Sequence, residues 1–247
     1  MTGTATTGLE GTVVVTGAAS GLGRAVTLDL LEHGRAVIAA DVDMAALDEL
    51  QAQHPGLATQ IVDVSKEASV AELARAADAV GPISAVVHCA ALVAVTRAPA
   101  AALTVEEFDR VMAVNARGSW LIGRAALDLL APTRGSLVLF TSETAFTGSH
   151  GLSHYVASKG AVLSLMRAFA REGGTAGVRV NAIAPGFTDT EGARAIGDPE
   201  RYDTSATPLG RVGQPGDIVG AVRYLIGDDS AFVTGQTLHI NGGRYVT

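Results

Sequence analysis

Residues 12–26 have the sequence TVVVTGAASGLGRAV, a short β-branched run followed by a glycine-rich turn and the start of a helical pattern. Glycines let the backbone turn tightly and approach a pyrophosphate, whose charge then meets the free N–H groups of the following helix. Gly17, Gly21 and Gly23 stand where such a turn requires them, after a strand and before a helix. The stretch therefore predicts the first strand, loop and helix of a dinucleotide-binding α/β sheet.

Six further apolar runs alternate with helical patterns along the chain. They are AVIAA (36–40), ATQIV (58–62), SAVVH (84–88), SLVLFT (136–141), VRVNAI (178–183) and QTLHI (236–240). Their continuous apolarity is typical of strands buried on both faces. Thr104 and Glu107 form a capping-box pattern that opens a long helix toward residue 130. We therefore predict an α/β fold over residues 1–247: a single-domain, Rossmann-type, doubly wound parallel sheet of seven strands with helices on both faces.

Composition excludes several classes of function. The 247 residues carry a net charge of −7 with scattered arginines, which argues against a nucleic-acid partner. The opening MTGTATTGLEGT lacks the basic and then apolar pattern of a signal peptide, and no apolar run reaches the roughly 18 residues that span a bilayer. The single cysteine, Cys89, cannot form an intrachain disulfide, and we expect a cytoplasmic protein without a membrane segment.

Asp41 ends the second predicted strand, eighteen residues after Gly23. An acid at this point accepts hydrogen bonds from the adenosine ribose hydroxyls and repels a 2′-phosphate, which favours NAD over NADP. The alternative is that Asp41 caps the next helix. Asp43 could fill that capping role instead.

Lys159 is one of only two lysines among eighteen basic residues, and it follows Tyr155 by four positions in YVASK. Residues four apart share a helix face, so the ammonium can lie beside the phenol. A nearby cation stabilises a phenolate and lowers the pKa of the phenol toward neutral pH, where the pair could move protons. From these two residues alone, a surface tyrosine stacked on a lysine stem remains the alternative.

The glycine pattern at residues 16–23, T-G-x-x-x-G-x-G, and Tyr155-x-x-x-Lys159 together resemble the short-chain dehydrogenase/reductase family. The resemblance covers essentially the whole chain. It extends to Asp63, to Asn115 in VMAVNARG, to Ser142 in LVLFTSE, to NAIAPGFTDT (181–190) and to FVTGQTLHINGG (232–243). The resemblance implies a nicotinamide cofactor and hydride exchange between an alcohol and a carbonyl.

The resemblance also implies a catalytic set of Asn115, Ser142, Tyr155 and Lys159. Tyr155 would be the general acid and base, with its pKa lowered by Lys159 and by the positive nicotinamide. Ser142 would donate a hydrogen bond to the developing alkoxide. Asn115, at a helix kink in relatives, would hold a water that connects Lys159 to solvent. The alternatives are a strand-end hydroxyl for Ser142 and a buried structural amide for Asn115.

A larger set of residues is implied to bind the cofactor. It consists of Gly17, Ser20, Gly21, Leu22, Gly23, Asp41, Asp63, Val64, Cys89, Ala90, Ala91, Tyr155, Lys159, Pro185, Gly186, Thr188 and Thr190. Asp63 would contact the adenine edge. Ser20 is uncharged at a position where NADP-using relatives often place Arg or Lys, so Ser20 and Asp41 both favour NAD. The nearby Arg24 leaves NADP open as the less favoured cofactor.

Residues 88–91 depart from the family pattern, since HCAA replaces the usual N-N-A-G. We expect Cys89 to be a small buried residue rather than a redox thiol. Ala91 adds a methyl group where relatives place glycine beside the cofactor. His150 and His154 are four apart, but no acidic or cysteine partner follows with metal-ligand spacing, so no metal is predicted.

The leading interpretation is an NAD(H)-dependent oxidoreductase for a secondary alcohol and its ketone. The alternative enzyme is a 3-oxoacyl-[acyl-carrier-protein] reductase. The sequence offers few basic residues to bind an acidic carrier protein, which argues against this alternative. The alternative of another class is a non-catalytic dinucleotide sensor or scaffold.

Substrate selectivity depends on a pocket formed by residues near 92–97, 143–152 and 188–207, the last being a loop that is predicted to act as a lid. The pocket residues predicted are Val93, Glu143, His150, Leu152 and Phe187, with Phe146 nearby. We expect a mostly apolar small-molecule substrate, with Glu143 as the residue that conflicts with this expectation.

The helix after Lys159, GAVLSLMRAFAREG, is apolar around much of its circumference, and relatives associate through it. This predicts a homotetramer or homodimer. The end of the chain, NGGRYVT, is expected to reach a neighbour's site.

Overall fold

The computed structural model describes residues 11–246. Two parts of the chain lie outside the described residues. They are residues 1–10, where the sequence argues against a signal peptide, and Thr247, the last residue of NGGRYVT. The strands are β1 (Thr12–Thr16), β2 (Val37–Asp41), β3 (Ala58–Ile61), β4 (Ile83–His88), β5 (Ser136–Phe140), β6 (Arg179–Pro185) and β7 (Thr237–Ile240). They form one parallel sheet in the order β3-β2-β1-β4-β5-β6-β7. Each strand overlaps its predicted run, so the seven-stranded parallel sheet is confirmed.

Helices cover both faces of the sheet. They are α1 (Gly21–Glu32), α2 (Met44–Gln53), α3 (Glu67–Val80), α4 (Val105–Val111), α5 (Gly118–Leu130), α6 (Thr144–Thr147), α7 (Ser153–Gly174), α8 (Glu191–Arg194) and α9 (Gly216–Ile226). On one face, α3, α5 and α7 bury one apolar cluster against the sheet. On the other, α1, α2 and α9 bury a second cluster. The five central strands are therefore covered on both sides, as continuous apolarity predicts, whereas the edge strands β3 and β7 are only partly buried.

The order of the strands places a crevice beside β1. The chain runs outward from β1 to β3 and then returns to β4, on the other side of β1. The loops that follow β1 and β4 consequently leave the sheet in opposite directions. In open α/β sheets, ligands bind at the carboxyl ends of the strands at such a switch point.

The predicted long helix toward residue 130 contains one wide turn. The Thr104 hydroxyl accepts a hydrogen bond from the Glu107 N–H at 3.2 Å, and Glu107 Oε2 accepts one from the Thr104 N–H at 3.0 Å. The capping box is therefore confirmed. Between α4 and α5, Met112–Arg117 form a π-helix that contains Asn115. Such turns often lie at functional sites, and this one lies where the resemblance predicts a kink.

The apolar side chains of α7 are covered largely by this chain itself. Val162, Met166 and Phe169 are buried in the cluster that α7 shares with α5 and the sheet. Exposed large apolar side chains lie instead on α4 and α5, among them Phe108 and Trp120. Within this chain α5 and the sheet together thus cover this part of α7, and burial of α7 against a partner subunit stays a prediction.

Candidate active site

A cleft of about 770 Å³ opens at the carboxyl ends of the strands, at the switch point between β1 and β4. Every residue predicted to bind the cofactor lines this cleft. Ser142, Tyr155 and Lys159 line it as well, whereas Asn115 is buried behind its wall. The fold thus brings residues from seven separate parts of the sequence to one cavity.

The glycine-rich turn packs too closely for side chains at two positions. Gly17 has a φ of 70°, and a Cβ there would lie 2.7 Å from the Ala90 N atom. A Cβ on Gly23 would collide with the Gly17 carbonyl oxygen. Ser20 precedes α1 in extended conformation, and its hydroxyl makes no capping hydrogen bond. The first turn of α1 contains no acidic side chain, so its free N–H groups suit the negative charge of a pyrophosphate.

Three backbone N–H groups hold the Asp41 carboxylate at the end of β2. Ala19 donates to Oδ2 at 2.9 Å, while Val42 and Asp43 donate to Oδ1 at 2.7 and 3.1 Å. Asp43 caps α2 by accepting from the Ala46 N–H. The alternative role of Asp41 as the helix cap is therefore wrong. The carboxylate lies on the cleft wall, tied to the glycine-rich turn.

Arg24 makes its side-chain hydrogen bond with α2 and not with this acid. Its Nη2 donates to Gln53 Oε1 on α2 at 3.3 Å, and the residue does not line the cleft. Beside β2, the cleft wall therefore carries the negative charge of Asp41 and not the positive charge of Arg24.

Asp63 follows β3 and marks the far end of the cleft. Its Oδ1 accepts hydrogen bonds from the Ser65 N–H at 3.0 Å and the Ser65 hydroxyl at 2.6 Å. Lys66 Nζ lies 3.0 Å from Oδ2, and the Lys66 side chain is 73% exposed. The Ser65 hydroxyl in particular lowers the pKa of Asp63, so this carboxylate is ionised at neutral pH.

Tyr155 and Lys159 share one face of α7, as their spacing predicts. Lys159 Nζ lies 5.8 Å from the centre of the Tyr155 ring and donates to the Phe140 carbonyl at 2.9 Å. Lys159 is only 4% exposed and Tyr155 is half-buried in the cleft wall, so the alternative of a surface tyrosine stacked on a lysine stem is wrong. Burial lowers the pKa of Lys159 to about 8, which leaves most of the ammonium charged at pH 7.

The pKa of Tyr155 is shifted in the direction opposite to the prediction. Burial raises the pKa of the phenol to about 12, while a hydrogen bond with Ser142 lowers it. The reason is desolvation, which penalises the phenolate more than this hydroxyl stabilises it. The lowering of this pKa by the positive nicotinamide stays a prediction.

Thr144 contacts Ser142 and was not predicted from the sequence. The Thr144 N–H donates to Ser142 Oγ at 3.2 Å, and the two hydroxyl oxygens lie 3.0 Å apart. With Thr144 donating in both bonds, the Ser142 proton is free to point into the cleft. The S-x-T spacing at the start of α6 is the local signal, because such hydroxyls bond to backbone two residues on.

Both side-chain N–H groups and the amide oxygen of Asn115 have protein partners. Its Oδ1 accepts from the Leu92 N–H at 2.7 Å, and its Nδ2 donates to the Leu92 carbonyl and to Ser158 Oγ, both at 3.1 Å. The buried structural amide, one of the two interpretations of this residue, agrees with these contacts. Its part in holding a water stays a prediction.

His88, in the departing HCAA stretch, connects the glycine-rich turn to the π-helix. The Ser119 hydroxyl donates to the Asn115 carbonyl at 2.6 Å, so it accepts from His88 Nε2 at 3.1 Å. His88 Nδ1 must then accept from the Thr16 hydroxyl at 2.6 Å. Burial lowers the pKa of His88 to about 3, which keeps the ring neutral. The departure from asparagine was visible in the sequence, but its partners were not.

The thiol of Cys89 is not activated. Burial raises its pKa above the ordinary value, although Lys159 acts in the opposite direction. A thiol without thiolate character is a poor nucleophile, which supports a packing role rather than a redox role.

His150 is the one predicted pocket residue that the cleft lacks. Val93, Glu143, Leu152 and Phe187 all line it. His150 is exposed, between Gly148 and Gly151 with φ values of 73° and 78°, so the assignment of His150 is wrong. These left-handed glycines turn the loop so that Leu152 faces inward while His150 faces solvent.

Other aromatic and histidine side chains near the pocket also lie outside the cleft lining. Phe146 packs on His239 and Tyr245, with ring centres 4.6 and 5.4 Å away. His154 is fully buried, and neither ring nitrogen has a hydrogen-bond partner among residues 11–246. Phe146 was expected near the pocket from the sequence, and the structure places neither Phe146 nor His154 in its wall.

Tyr202, in the predicted loop 188–207, and Arg244, in the C-terminal NGGRYVT, also line the cleft. Tyr202 stacks on Phe187 with ring centres 4.3 Å apart. Arg244 lies 5.0 Å from the Tyr202 ring and donates to the Asp203 carbonyl at 2.9 Å. The stretch NGGRYVT thus reaches the cleft of its own chain through Arg244. A contact of this stretch with a neighbour stays a prediction.

Two negative findings concern the described part of the chain. No helix there is both long enough and apolar enough to cross a bilayer. In the same residues, no three or more His, Cys, Asp or Glu side chains group in a way that could hold a metal ion.

Comparisons with known proteins agree with this geometry. A family model described as enoyl-(acyl carrier protein) reductase matches residues 17–244. The chain is 34% identical to a (3R)-3-hydroxyacyl-CoA dehydrogenase of Canis lupus familiaris, over 94% of this chain and 95% of that protein. It is 33% identical to a 3-oxoacyl-[acyl-carrier-protein] reductase of Thermotoga maritima, over 96% and 99%. A short-chain type dehydrogenase/reductase from Mycobacterium ulcerans superposes with a TM-score of 0.88 at 29% identity, covering 95% of this chain and 90% of that one.

Proposed function

Because this chain belongs to the short-chain dehydrogenase/reductase family and is an oxidoreductase acting on hydroxyl and keto groups, we propose that it interconverts a secondary alcohol and its ketone with NAD(H). The observation that carries the proposal is the convergence of Ser142, Tyr155 and Lys159 on one cleft with the glycine-rich turn. The cleft offers one end to a dinucleotide and the other to a small molecule.

The choice of NAD rests on the wall beside β2. Three N–H groups hold the Asp41 carboxylate in place, where it would accept hydrogen bonds from ribose hydroxyls. A 2′-phosphate at this position would meet that negative charge, and Arg24, bonded to Gln53, does not offset it. Asp63 would contact the adenine, and Pro185, Gly186, Thr188 and Thr190 would line the nicotinamide side.

Tyr155 is the proposed general acid and base, and Ser142 the donor to the substrate oxygen. When bound, the cofactor supplies or accepts the hydride, and its oxidised ring supplies positive charge. The protein contributes the Ser142 proton, oriented by Thr144, and the Lys159 ammonium, oriented by the Phe140 carbonyl. Asn115 is a proposed positioning residue, since its contacts tie Leu92 to α7 through Ser158.

A second candidate is a reductase or dehydrogenase of 3-oxygenated acyl thioesters. The names of the two relatives favour it, since one acts on 3-hydroxyacyl-CoA and the other on 3-oxoacyl groups held by a carrier protein. The held Asp41 carboxylate favours NAD rather than NADP for either substrate class.

Three further expectations, on domain organisation, cellular location and assembly, belong with this proposal. Residues 1–247 would form one NAD-binding catalytic domain with a substrate-binding loop at about 188–207. The protein would act in the cytoplasm without nucleic-acid, metal or membrane partners. It would assemble as a homotetramer or homodimer, for which the exposed Phe108 and Trp120 offer apolar surface.

The test is a set of initial rates on secondary alcohols, ketones and acetoacetyl-CoA, with NAD(H) and NADP(H), for wild type and Tyr155→Phe. Tyr224→Phe is the matched control, because Tyr224 is exposed on α9 outside the cleft. We expect Tyr155→Phe to lower kcat at least about a hundredfold with unchanged NADH affinity, and Tyr224→Phe to leave it unchanged.

Three outcomes would redirect the proposal. Equal kcat for wild type and Tyr155→Phe removes Tyr155 from the mechanism. Preferred turnover of acetoacetyl-CoA favours the second candidate. Tight NADH binding without turnover of any compound favours the sensor or scaffold.

A further inference from the structure

Glu143 is a buried carboxylate in the wall of the cleft with unmet hydrogen-bonding capacity. The residue is 6% exposed, follows Ser142 directly and lines the cleft. Its backbone N–H donates to the Pro185 carbonyl, which fixes the start of α6 against the end of β6. No side chain or N–H group of residues 11–246 donates to Oε2. Oε1 likewise has no hydrogen-bond donor among these residues, since Arg244 Nε stays 3.9 Å away, so the carboxylate has the character of a binding group.

Oε2 faces a part of the wall from which side chains are excluded. A Cβ on Gly186 would lie 3.3 Å from Oε2 and only 2.9 Å from Asn241 Cα. Gly186 itself lines the cleft. Oε2 is thus enclosed by packed protein atoms, and Oε1, which lies toward Arg244, is the oxygen of this carboxylate that a molecule in the cleft can reach.

The nearest cation does not satisfy Glu143. Arg244 Nε lies 3.9 Å from Oε1, beyond the 2.7 to 3.2 Å of a hydrogen bond. Arg244 is instead bonded to the Asp203 carbonyl and lies over the Tyr202 ring. Burial raises the pKa of Glu143, and the charge of Arg244 acts in the opposite direction. Glu143 and Arg244 thus present a hydrogen-bond acceptor and a hydrogen-bond donor side by side, without a hydrogen bond between them.

The two opposite charges restrict which chemical group of a ligand can bind to Glu143. A ligand cation would be repelled by Arg244, and a ligand carboxylate would be repelled by Glu143. A hydroxyl group avoids both penalties, because it can donate to the carboxylate and accept from the guanidinium. The stacked Phe187 and Tyr202 rings beside the pair suit the carbon skeleton that carries such a hydroxyl.

Building on the proposed function, we infer that the substrate is a hydroxyketone or the corresponding diol, whose second hydroxyl donates a hydrogen bond to Glu143. The reacting oxygen meets Ser142 and Tyr155, and the second hydroxyl meets the next residue in the chain. A ketone without that hydroxyl leaves the buried carboxylate without a partner, and sites of this kind discriminate strongly against such analogues.

The experiment measures binding rather than turnover. The NADH complex of Tyr155→Phe is titrated by calorimetry with two matched pairs: 3-hydroxybutan-2-one against butan-2-one, and 2-hydroxycyclohexanone against cyclohexanone. The same titrations are repeated with Glu143→Leu and Glu143→Gln added. Glu32→Leu, an exposed change on α1 that removes the same charge, is the matched control.

At least one hydroxyketone is expected to bind at least about tenfold more tightly than its parent ketone. Glu143→Leu should abolish that difference, Glu143→Gln should retain part of it through the amide oxygen, and Glu32→Leu should leave it intact. NADH affinity should be the same in all four proteins, which shows that the fold is kept.

The inference is overturned if each hydroxyketone binds no better than its parent, if neither hydroxyketone binds, or if the preference survives Glu143→Leu. Failure of the proposed function has a different signature. In that case the enzyme with Tyr155 intact turns over none of these compounds, although the binding difference is present.

Discussion

Replacing His88 with asparagine, the residue that relatives often carry there, should destabilise the protein at pH 7 by about 2 to 4 kcal/mol. The ring is buried between Thr16 and Ser119, at 2.6 and 3.1 Å. A shorter side chain cannot reach both hydroxyls, so at least one buried polar group loses its partner. The smaller volume also leaves a gap in the packing beside the glycine-rich turn.

The decisive feature is how this penalty changes with pH. The pKa of His88 is lowered from 6.5 to about 3, so the unfolded chain binds a proton below pH 6.5 that the folded chain does not. The neutral ring is therefore fully stabilising above pH 6.5, and its contribution is lost as the pH falls toward 3. Linkage gives a loss of about 2 kcal/mol between pH 7 and pH 5 in the wild type. Asparagine does not titrate, so the penalty of His88→Asn should shrink by this amount.

Urea unfolding at pH 7 and pH 5, at constant ionic strength, measures both penalties. Burial also lowers the pKa of His239, but this residue titrates equally in wild type and variant and cancels in the difference. His150→Asn, at an exposed position, should cost little at either pH. A penalty of His88→Asn that is equal at pH 7 and pH 5 would refute the neutral buried ring and the hydrogen-bond chain built on it.

Three further predictions concern the cofactor site and a surface pair. Asp41→Asn should raise the affinity for NADPH relative to NADH at least about tenfold, because the repelling charge is gone; fluorescence titration of both cofactors checks this. Gly23→Ala should abolish measurable NADH binding in the same titration, because the added methyl collides with the Gly17 carbonyl and displaces α1. Asp217→Asn should lower the free energy of unfolding in urea by about 1 to 2 kcal/mol at pH 7. Two Arg211 hydrogen bonds, at 2.6 and 2.7 Å, lower the pKa of Asp217 to about 2. This stabilisation is present above pH 3.8 and is lost as the pH falls toward 2.

The sheet could be predicted from the sequence because its signals are local and agree with one another. The run before Gly17 is β-branched, the turn is glycine-rich and the helix follows at once. Strands β2, β4 and β5 are likewise mostly apolar runs, whereas the edge strands β3 and β7 also carry polar residues. The capping box at Thr104 is equally local, since both of its partners lie within four residues.

What the sequence could not predict depends on contacts between distant segments. Glu143 and Arg244 are about a hundred residues apart, and only the fold places them 3.9 Å from each other. The partners of His88 lie 72 and 31 residues away. The direction of the Tyr155 shift was missed because spacing indicates the neighbouring charge but not the depth of burial, and here burial dominates. His150 was misplaced because the backbone angles of the glycines beside it, rather than its own chemistry, decide where it points.

The two lysines differ so much in accessibility that amine-reactive reagents should discriminate between them. Lys159 is buried beneath Tyr155, whereas the Lys66 ammonium is in solvent, 3.0 Å from Asp63. Of the lysine side chains, an amine-reactive dye would therefore label Lys66 selectively, at the end of the cleft proposed for the adenine. A dye at that position would report cofactor occupancy as a change in emission, without any substitution in the chain.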